Sequence, residues 1–466
     1  MPVFEISFYN KQTMAEARKT SNESSAEFNR SFKFDWRLFA AAVRVNIAYC
    51  DALFHAGVVT RIESERIKNG LQAILKRAEF DRNYFEETWA DDVHSFIETR
   101  LVGLIGEAGE KINVGRSRYE QTATALRFWL RGEIEKISKN LRDLQSALIE
   151  AGERQKEAVL PAYANSQKAQ PILWAHWCLA YYEMFSRDRE RLDEVWRRVN
   201  VLPLGAGVMA GTAFEIDREE VARSLGFEGV SANSLDAVAD RDFAIEFLAA
   251  CALLMTHLTR LAEDMILYSS DEFGFIEASA AISIFASATN LGNLEIVRGK
   301  AGRVFGHQIA ILSTMKNLPL GIHRDLRETE EAVFDTVDTV KSCLITMKNA
   351  AECLRVNVEK TRAAATKGYL NADELADYLI QRNVPSGIAK KTVSEIMSYA
   401  VAQRKELDEL SLKEIRQFSD RIGDDIHEAL SLEQTLASKN QIGGTAPERV
   451  FEALEHAKTE IEREGN

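Results

Sequence analysis

Apolar side chains recur at alternating steps of three and four residues along two long segments of the chain. In the segment from Arg118 to about Leu160 they are Leu126, Leu130, Ile134, Ile137, Leu141, Leu144 and Leu148. In a later segment they are Val337, Val340, Leu344, Met347, Ala351, Leu354 and Val358. This near-heptad spacing is typical of long helices that pack side by side. It predicts two long helices of a bundle.

Three further stretches have the composition of long helices: residues 172–200, 235–268 and 294–317. The stretch 235–268 is apolar on nearly every face, which predicts a helix buried on all sides and favours an oligomer. Five long helices with little other pattern predict an all-α fold with a central, long five-helix bundle.

At 466 residues the chain is too long for one ordinary hydrophobic core. After Lys360 the helical segments become shorter and are separated by turn residues. We therefore predict an N-terminal helical domain (1–110), a central long-helix bundle domain (111–361) and a small C-terminal helical domain (362–466).

Composition and charge narrow the classes of function. The sequence is 46% hydrophobic and 28% charged, which is typical of globular proteins. Its net charge of −13 argues against a nucleic-acid partner. No signal pattern and no apolar run of membrane-spanning length was found, so a cytoplasmic location without a membrane partner is expected. Five cysteines without a CxxC pair predict buried free thiols and no metal site.

Several segments form an ordered series along the chain: DDVHSFIETRL (91–101), GRSRYEQTATALRFW (115–129), LPAYANSQKAQP (160–171), RVNVLPLGAGVMAGTAFEIDRE (198–219), NSLDAVADRDFAIEFL (233–248), LEIVRGKAGRVFG (294–306), DLRETEEAVFDT (325–336) and GGTAPERV (443–450). In order and spacing this series resembles the argininosuccinate lyases of the fumarase/aspartase superfamily. The resemblance implies a three-domain, nearly all-α subunit and a homotetramer whose active sites combine residues of several subunits.

The resemblance also implies a reaction class. These lyases split a C–N bond by β-elimination and release fumarate from an N-linked succinyl group, without a cofactor. The reaction needs a base for the C–H proton, a clamp for the carboxylate beside it and an acid for the leaving nitrogen. The expected partner is a small amino-acid or dicarboxylate ligand.

The signature loop departs from the family pattern. The family loop reads roughly GSSxMPxKxNP and contains the serine thought to act as the base. Here Ser283 is one possible stand-in, beside Ser279 and Ser287, and none belongs to a serine pair. The loop lysine has no counterpart, and only Asn290 matches. A serine in such a loop is more often a small polar residue without a catalytic role.

A second departure concerns proton transfer. The family's catalytic histidine falls on Asn165, and a neutral amide cannot exchange a proton near neutral pH. The glutamate that orients that histidine corresponds to Glu295, which is retained. Glu295 either forms a structural hydrogen bond, for example with Asn165, or serves as acid or base itself.

A third departure concerns the substrate. Tyr119 fills the family's asparagine position. The family tyrosine, glutamine and lysine that hold the amino-acid end of the substrate fall on Ile322, Arg327 and Glu330. The change from lysine to glutamate reverses the charge offered to an α-carboxylate. Argininosuccinate is therefore not expected to fit well.

Other family positions are retained, and they form a candidate anion-binding set: Arg116, Ser117, Gln167, Asn290, Lys300, Arg241 and the substituted Arg327. The alternative explanation for each cation is a structural ion pair, and Arg241 lies in an acidic DRD context that favours one. His94 also matches a family position, although a hydrogen-bonded structural histidine is the commoner case on a helix.

Two hypotheses remain open. The first is an active lyase, or the reverse addition, acting on an adduct other than argininosuccinate, with Tyr119, Tyr163, Glu295 or His94 supplying the proton chemistry. The second is a non-catalytic paralogue that binds a ligand, has a structural role or assembles with an active relative. Retention of the anion-binding set favours the first, and loss of the loop residues and the histidine favours the second.

Overall fold

The computed structural model describes residues 27–81, 83–86, 90–278 and 290–465, and its secondary structure is predominantly helical. The helices are α1 (Phe32–Asp35), α2 (Phe39–His55), α3 (Arg61–Phe80), α4 (Val93–Ile105), α5 (Arg118–Arg154), α6 (Trp174–Val199), α7 (Arg218–Leu225), α8 (Ser234–Ala239), α9 (Asp242–Ser269), α10 (Asn290–Met315), α11 (Glu328–Glu352), α12 (Val358–Ala365), α13 (Ala372–Gln381), α14 (Ser386–Gln403), α15 (Leu412–Ile415), α16 (Ile426–Ala429), α17 (Leu432–Ala437) and α18 (Pro447–Gly465). Four 3₁₀ helices join some of them: Trp36–Leu38, Gly106–Asn113, Arg324–Arg327 and Leu407–Glu409.

The strands are short and pair two by two. An antiparallel hairpin is formed by β1 (Val159–Ala164) and β2 (Gln167–Leu173). The strands β3 (Val201–Leu202) and β4 (Gly229–Val230) pair in parallel. The strands β5 (Ile276–Ala278) and β6 (Leu354–Val356) pair antiparallel. The hairpin β1–β2 connects α5 to α6 and carries one of the predicted site residues.

The first apolar series lies where the sequence predicts it. All seven residues from Leu126 to Leu148 lie in the 37-residue helix α5 and are at most 1% exposed. The second series is buried from Val337 to Ala351, but α11 ends at Glu352. Leu354 then belongs to β6, and Val358 begins α12 with 46% exposure. The prediction of one helix through Val358 is therefore wrong at its C-terminal end.

The stretch 235–268 also differs from its prediction. It divides at Asp240 and Arg241 into α8 and α9, and α9 has an exposed face that includes Thr256, Arg260 and Glu263. The helical stretches Glu27–His55 and Asp242–Ser269 are long and apolar enough to cross a membrane by length and composition alone. However, 67% and 56% of their most apolar windows are buried inside the protein, as in core helices.

The chain divides into two compact units, and the divisions fall within the five long helices. Unit 1 comprises residues 1–136, 191–251 and 304–338, and unit 2 comprises 137–190, 252–303 and 339–466. The three-domain division at residues 110 and 361 stays a prediction.

Side-chain contacts within each unit place the long helices beside one another. In unit 1, Trp129 of α5 packs edge-on against Phe334 of α11 at 4.8 Å. In unit 2, Gln145 of α5 donates a hydrogen bond to the carbonyl of Tyr182 in α6 at 3.1 Å. The hydroxyl of Tyr181 in α6 donates to Asp264 of α9 at 2.7 Å. These contacts are those of a helical bundle, as the near-heptad spacing predicts.

Candidate active site

The first turn of α5 is held by a capping box between Ser117 and Glu120. The Ser117 amide donates to Glu120 Oε1 at 2.8 Å, and Glu120 Oε2 accepts from the Gly207 amide at 2.9 Å. The Ser117 hydroxyl donates to the Gly207 carbonyl at 2.7 Å. Gly207 has a φ of +65°, and a Cβ there would collide with the carbonyl oxygen of Gly211, so this close approach requires glycine. Burial raises the pKa of Glu120 to about 7.

Arg116, directly before this turn, is a half-buried residue whose guanidinium group has buried, unused donors. Its Nη2 atom donates to Asn113 Oδ1 at 3.4 Å, and its guanidinium lies 4.8 Å from the centre of the Tyr49 ring. Its Nε and Nη1 atoms are buried and have no hydrogen-bond partner among the described residues. Burial lowers the pKa of Arg116 to about 10, so the group stays cationic at neutral pH. The ion pair that would explain Arg116 structurally is not present in the described part of the chain.

His94 is the second residue of α4 and lies within electrostatic range of Arg116. It is buried, and its Nε2 atom has no hydrogen-bond partner among the described residues. Burial and the neighbouring charges of Arg118 and Arg116 hold its pKa at about 3, although Asp92 opposes them. His94 is therefore a neutral imidazole with a free ring nitrogen, suited to hydrogen bonding rather than to carrying a charge.

Three carboxylates lie in the same part of unit 1, and two of them are satisfied. Asp35 accepts from the Ser31 hydroxyl at 2.7 Å and from the Val93 amide at 3.0 Å. Asp92 caps α4 through the Ser95 amide at 2.7 Å. Burial raises the pKa of Asp35 to about 7.

The third carboxylate, Glu330, lies in the first turn of α11 and is not satisfied. It is 3% exposed, and its Oε2 atom has no hydrogen-bond partner in the described part of the chain. Burial raises its pKa to about 8, and Asp35 and Asp92 act in the same direction. Arg241 and Arg327 lower the pKa of Glu330, but neither forms an ion pair with it within 4.0 Å among the described residues.

Arg241 and Arg327 are engaged mainly with backbone. Arg241 Nη1 donates to the Asp240 carbonyl at 2.7 Å, and Arg327 Nη1 donates to the Asn29 carbonyl at 2.9 Å. The salt bridge expected for Arg241 in its acidic context is absent from the described residues, because the Asp240 carboxylate pairs with Arg127 instead. The Nε atom of Arg241 is buried without a partner there.

Asn165 occupies a tight turn in unit 2. With Ser166 it forms the two-residue loop closed by the pair Ala164 and Gln167, and its φ is +51° while that of Ser166 is +61°. Positive φ at both loop residues is the geometry of a type I′ turn, in which asparagine is favoured. Asn165 and Gln167 are exposed. The local backbone therefore supplies a structural reason for asparagine at this position.

The remaining predicted residues are distributed as follows. Glu295 is exposed in α10 and lies 3.9 Å from Arg298, and no hydrogen bond joins it to Asn165 among the described residues. Lys300 is half-buried in unit 2, where its charge acts on Cys343. Tyr119 is half-buried in the first turn of α5. Ser283 lies outside the described residues, and Asn290 is described only as the first residue of α10.

The structure thus brings together one part of the predicted site within unit 1. Arg116, Ser117 and His94 lie at the starts of α5 and α4, where helix termini offer partial positive charge to an anion. Arg241 and Arg327 lie beside Glu330. Asn165, Gln167, Glu295 and Lys300 belong to unit 2. The arrangement in unit 1 can bind a carboxylate through buried, unpartnered donors.

Sequence reasoning missed two features of this cluster, and both have a sequence signal. The S-x-x-E pattern from Ser117 to Glu120 is a capping-box signature, which explains Glu120 as a structural residue. Asp92 and Ser95 form a second such box at α4. By contrast, the approach of Asp35 to Glu330, almost 300 positions away in the sequence, follows only from the tertiary fold.

Comparison with known proteins defines the class first. A lyase family model matches residues 16–306, and a model of the argininosuccinate lyase C-terminal region matches residues 369–437. EDDS lyase in complex with formate has a similar structure, with a TM-score of 0.80 and 23% identity over 93% of this chain and 89% of that one. Class II fumarase from Schistosoma mansoni has a TM-score of 0.75 and 15% identity over 88% and 93%. The fold is that of the fumarase/aspartase superfamily.

Sequence relatives define the family within that class. Argininosuccinate lyase of Pelotomaculum thermopropionicum is 42% identical over 95% of this chain and 97% of its own length. That of Geobacter sulfurreducens is 44% identical over 93% and 95%. This chain belongs to the argininosuccinate lyase family, which confirms the resemblance, the all-α fold class and a place among lyases.

The turn at Asn165 gives a stability prediction. Replacing Asn165 with Val should lower the free energy of unfolding by about 1–2 kcal/mol, because a β-branched residue is strained at positive φ. Asn165→Gly should leave stability nearly unchanged. Urea denaturation of the three proteins measures the difference. Equal stability of Asn165→Val and the parent chain would contradict the turn assignment.

Burial of Glu330 gives a pH prediction. Because its folded-state pKa is about 8 and its ordinary value is 4.5, the group's contribution to stability is fully present below pH 4.5 and is lost as pH rises toward 8. Glu330→Gln removes this loss, so it should exceed the parent chain in stability by about 2 kcal/mol or more at pH 8 and by little at pH 4.5. Denaturant titrations across this range test it.

The control for that prediction is Glu331→Gln, because Glu331 is the exposed neighbour of Glu330 in the same helix. It should change neither the stability nor its slope with pH by more than about 0.5 kcal/mol. If the stability gain of Glu330→Gln does not grow with pH, the pKa of Glu330 is not raised by folding, and this prediction is wrong.

Proposed function

We propose that this chain is a carbon–nitrogen lyase, or catalyst of the reverse addition, acting on an N-linked succinyl adduct other than argininosuccinate. The observation that carries the proposal is Arg116, a buried guanidinium whose Nε and Nη1 atoms have no partner among the described residues. Burying a charge without a partner costs several kcal/mol. A substrate carboxylate would supply the missing acceptors.

The chemistry follows the family reaction. A base removes a proton from the carbon beside the clamped carboxylate, the electron pair forms the double bond of fumarate, and the C–N bond breaks as the leaving nitrogen takes up a proton. Developing negative charge on that carboxylate is stabilised by Arg116, by the Nε2 atom of neutral His94 if it carries the proton, and by the termini of α4 and α5. Tyr119, Glu295, His94 and Ser283 remain the candidates for proton transfer, and the choice among them belongs to the proposal.

The proposal that the leaving group differs from that of argininosuccinate rests on Glu330. The relatives at 42–44% identity are named argininosuccinate lyase, so argininosuccinate is the first substrate to test. Glu330 is a buried acidic group at the position where the family offers a lysine to the amino-acid end of the substrate. Because burial raises the pKa of Glu330 to about 8, the group is mostly protonated at neutral pH, so an α-carboxylate placed there would lose the ion pair that a lysine offers. Asn165→His alone is therefore expected not to produce argininosuccinate cleavage.

A homotetramer and a cytoplasmic location complete the proposal. Helix α10 exposes Ile296, Phe305, Ile309 and Leu312, and exposed apolar side chains on a long helix favour contact with further subunits. Light scattering after size-exclusion chromatography should give four chains per particle. If the measured mass is that of a monomer, an active site built from several subunits is contradicted.

The competing function is a ligand-binding or structural paralogue without catalysis, which the turn role of Asn165 favours. A fumarate-release assay with argininosuccinate, adenylosuccinate, aspartate and N-succinyl amines, run in both directions, separates the two. Turnover of another adduct supports the proposal. Cleavage of argininosuccinate at on the order of 1–10³ per second contradicts the altered leaving group. No turnover despite succinate binding favours the paralogue.

The anion site has its own test. Arg116→Met should weaken succinate binding about tenfold or more, because one partner of a buried charge pair is lost, and should raise the unfolding midpoint of the free protein. Calorimetry and thermal denaturation measure the two effects. Arg61→Met, at an arginine whose side chain is 83% exposed, is the matched control and should change neither. Unchanged succinate affinity in Arg116→Met would contradict the site.

A further inference from the structure

Glu330 has a hydrogen-bonding capacity that none of the described residues of unit 1 fills. A carboxylate in the first turn of a helix favours the helix dipole, and that structural role would account for an acidic residue here. Interaction with the helix dipole does not account for the burial of Glu330. The neighbouring acidic residues of the same turn, Glu328 and Glu331, are exposed, whereas Glu330 is 3% exposed with a buried, unpartnered Oε2 atom.

The surroundings of Glu330 favour a positive occupant. Asp35 and Asp92 act on it from the segments before α2 and α4, and both already accept hydrogen bonds of their own. Arg241 and Arg327 also lie within electrostatic range of Glu330, and each donates to a backbone carbonyl; in the described part of the chain neither pairs with Glu330 within 4.0 Å. In its ionised form Glu330 offers Oε2 as an unfilled acceptor, and the nearby Asp35 and Asp92 favour a cationic donor over a neutral one.

We infer that Glu330 forms a subsite for a cationic group on the leaving amine, so that the adduct this protein takes is an N-substituted aspartate whose distal end is an ammonium or guanidinium group without an adjacent carboxylate. The inference rests on the proposed function and names its substrate class. A diamine carrying one succinyl group has this chemistry. Elimination releases fumarate and the diamine, with the proton balance of the family reaction unchanged.

The rival occupant is an anionic tail. Arg241 also has a buried Nε atom without a partner among the described residues, and with Arg327 it would attract a carboxylate. Three probes of similar length therefore decide the question: N-(4-aminobutyl)aspartate, N-pentylaspartate and N-(4-carboxybutyl)aspartate. Their succinyl ends are identical, so differences in affinity report on the tail alone.

Calorimetric titration of the full chain with each probe is the experiment. The cationic tail should bind about tenfold or more tightly than the neutral tail, as for a desolvated charge pair. Glu330→Gln should abolish that preference and leave succinate binding unchanged, whereas Glu331→Gln should keep it. A purely structural role of Glu330 would alter stability without altering the ratio of the two affinities.

The pH dependence adds a second readout. A cationic ligand favours the ionised carboxylate, so its affinity should rise with pH from 6 to 8 as Glu330 loses its proton, and binding should release protons into the buffer. Asp35, whose burial raises its pKa to about 7, titrates in the same range, and Asp92, Arg241 and Arg327 also act electrostatically on Glu330. Glu330→Gln isolates the contribution of Glu330. The neutral tail should show the smaller slope.

The outcomes separate this inference from the proposed function. Equal binding of the three tails, or preference for the carboxylate tail, overturns the cationic subsite while Arg116-dependent binding of succinate still supports the lyase. A tail preference that persists in Glu330→Gln also overturns it. Failure of every probe and of succinate to bind overturns both.

Discussion

Burial of uninterrupted apolar seams along the long helices is the constraint on which the rest of the structure depends. The seven residues of the α5 seam are almost completely inaccessible to solvent, and each contributes about 1.5–3 kcal/mol relative to exposure. The length of a seam also fixes where its helix begins. Because His94, Arg116, Arg241 and Glu330 lie at or just before such beginnings, the bundle places these charged and polar groups without needing any attraction among them.

Within the resulting cluster, polar residues fall into two kinds. Glu120, Asp35 and Asp92 have their hydrogen-bonding capacity filled by backbone amides at helix starts, and they serve the fold. The Arg116 and Glu330 side chains are buried with capacity left over in the described structure. A stable fold keeps such groups only at a penalty, which is why unfilled capacity is a better guide to a binding site than charge alone.

The helices and the polar cluster could not be predicted from the sequence equally well. Periodicity located the long helices because spacing is a local property. It failed at Leu354, which pairs in β6, and at Val358, which is the half-exposed first residue of α12. Family motifs singled out Arg116, Ser117 and His94, which lie in the same unit, and their role in a site stays a prediction. The burial of Glu330 could not be predicted from the sequence, because it depends on how distant segments pack in the tertiary structure. The structural role of Asn165 in its turn is recognised from its positive φ, because the residue type alone does not give the backbone angle.

The hairpin between α5 and α6 has a consequence for how the chain folds. Its loop has two residues in the mirror-image turn that matches strand twist, and it joins the C-terminal end of α5 to the N-terminal end of α6 within a short stretch of chain. Hairpins of this kind close within microseconds, long before distant segments meet. The antiparallel pairing of α5 and α6 can therefore form as a local nucleus, onto which α9, α10 and α11 are added later. Asparagine at position 165 fits the positive φ of this loop and therefore favours early formation of the hairpin.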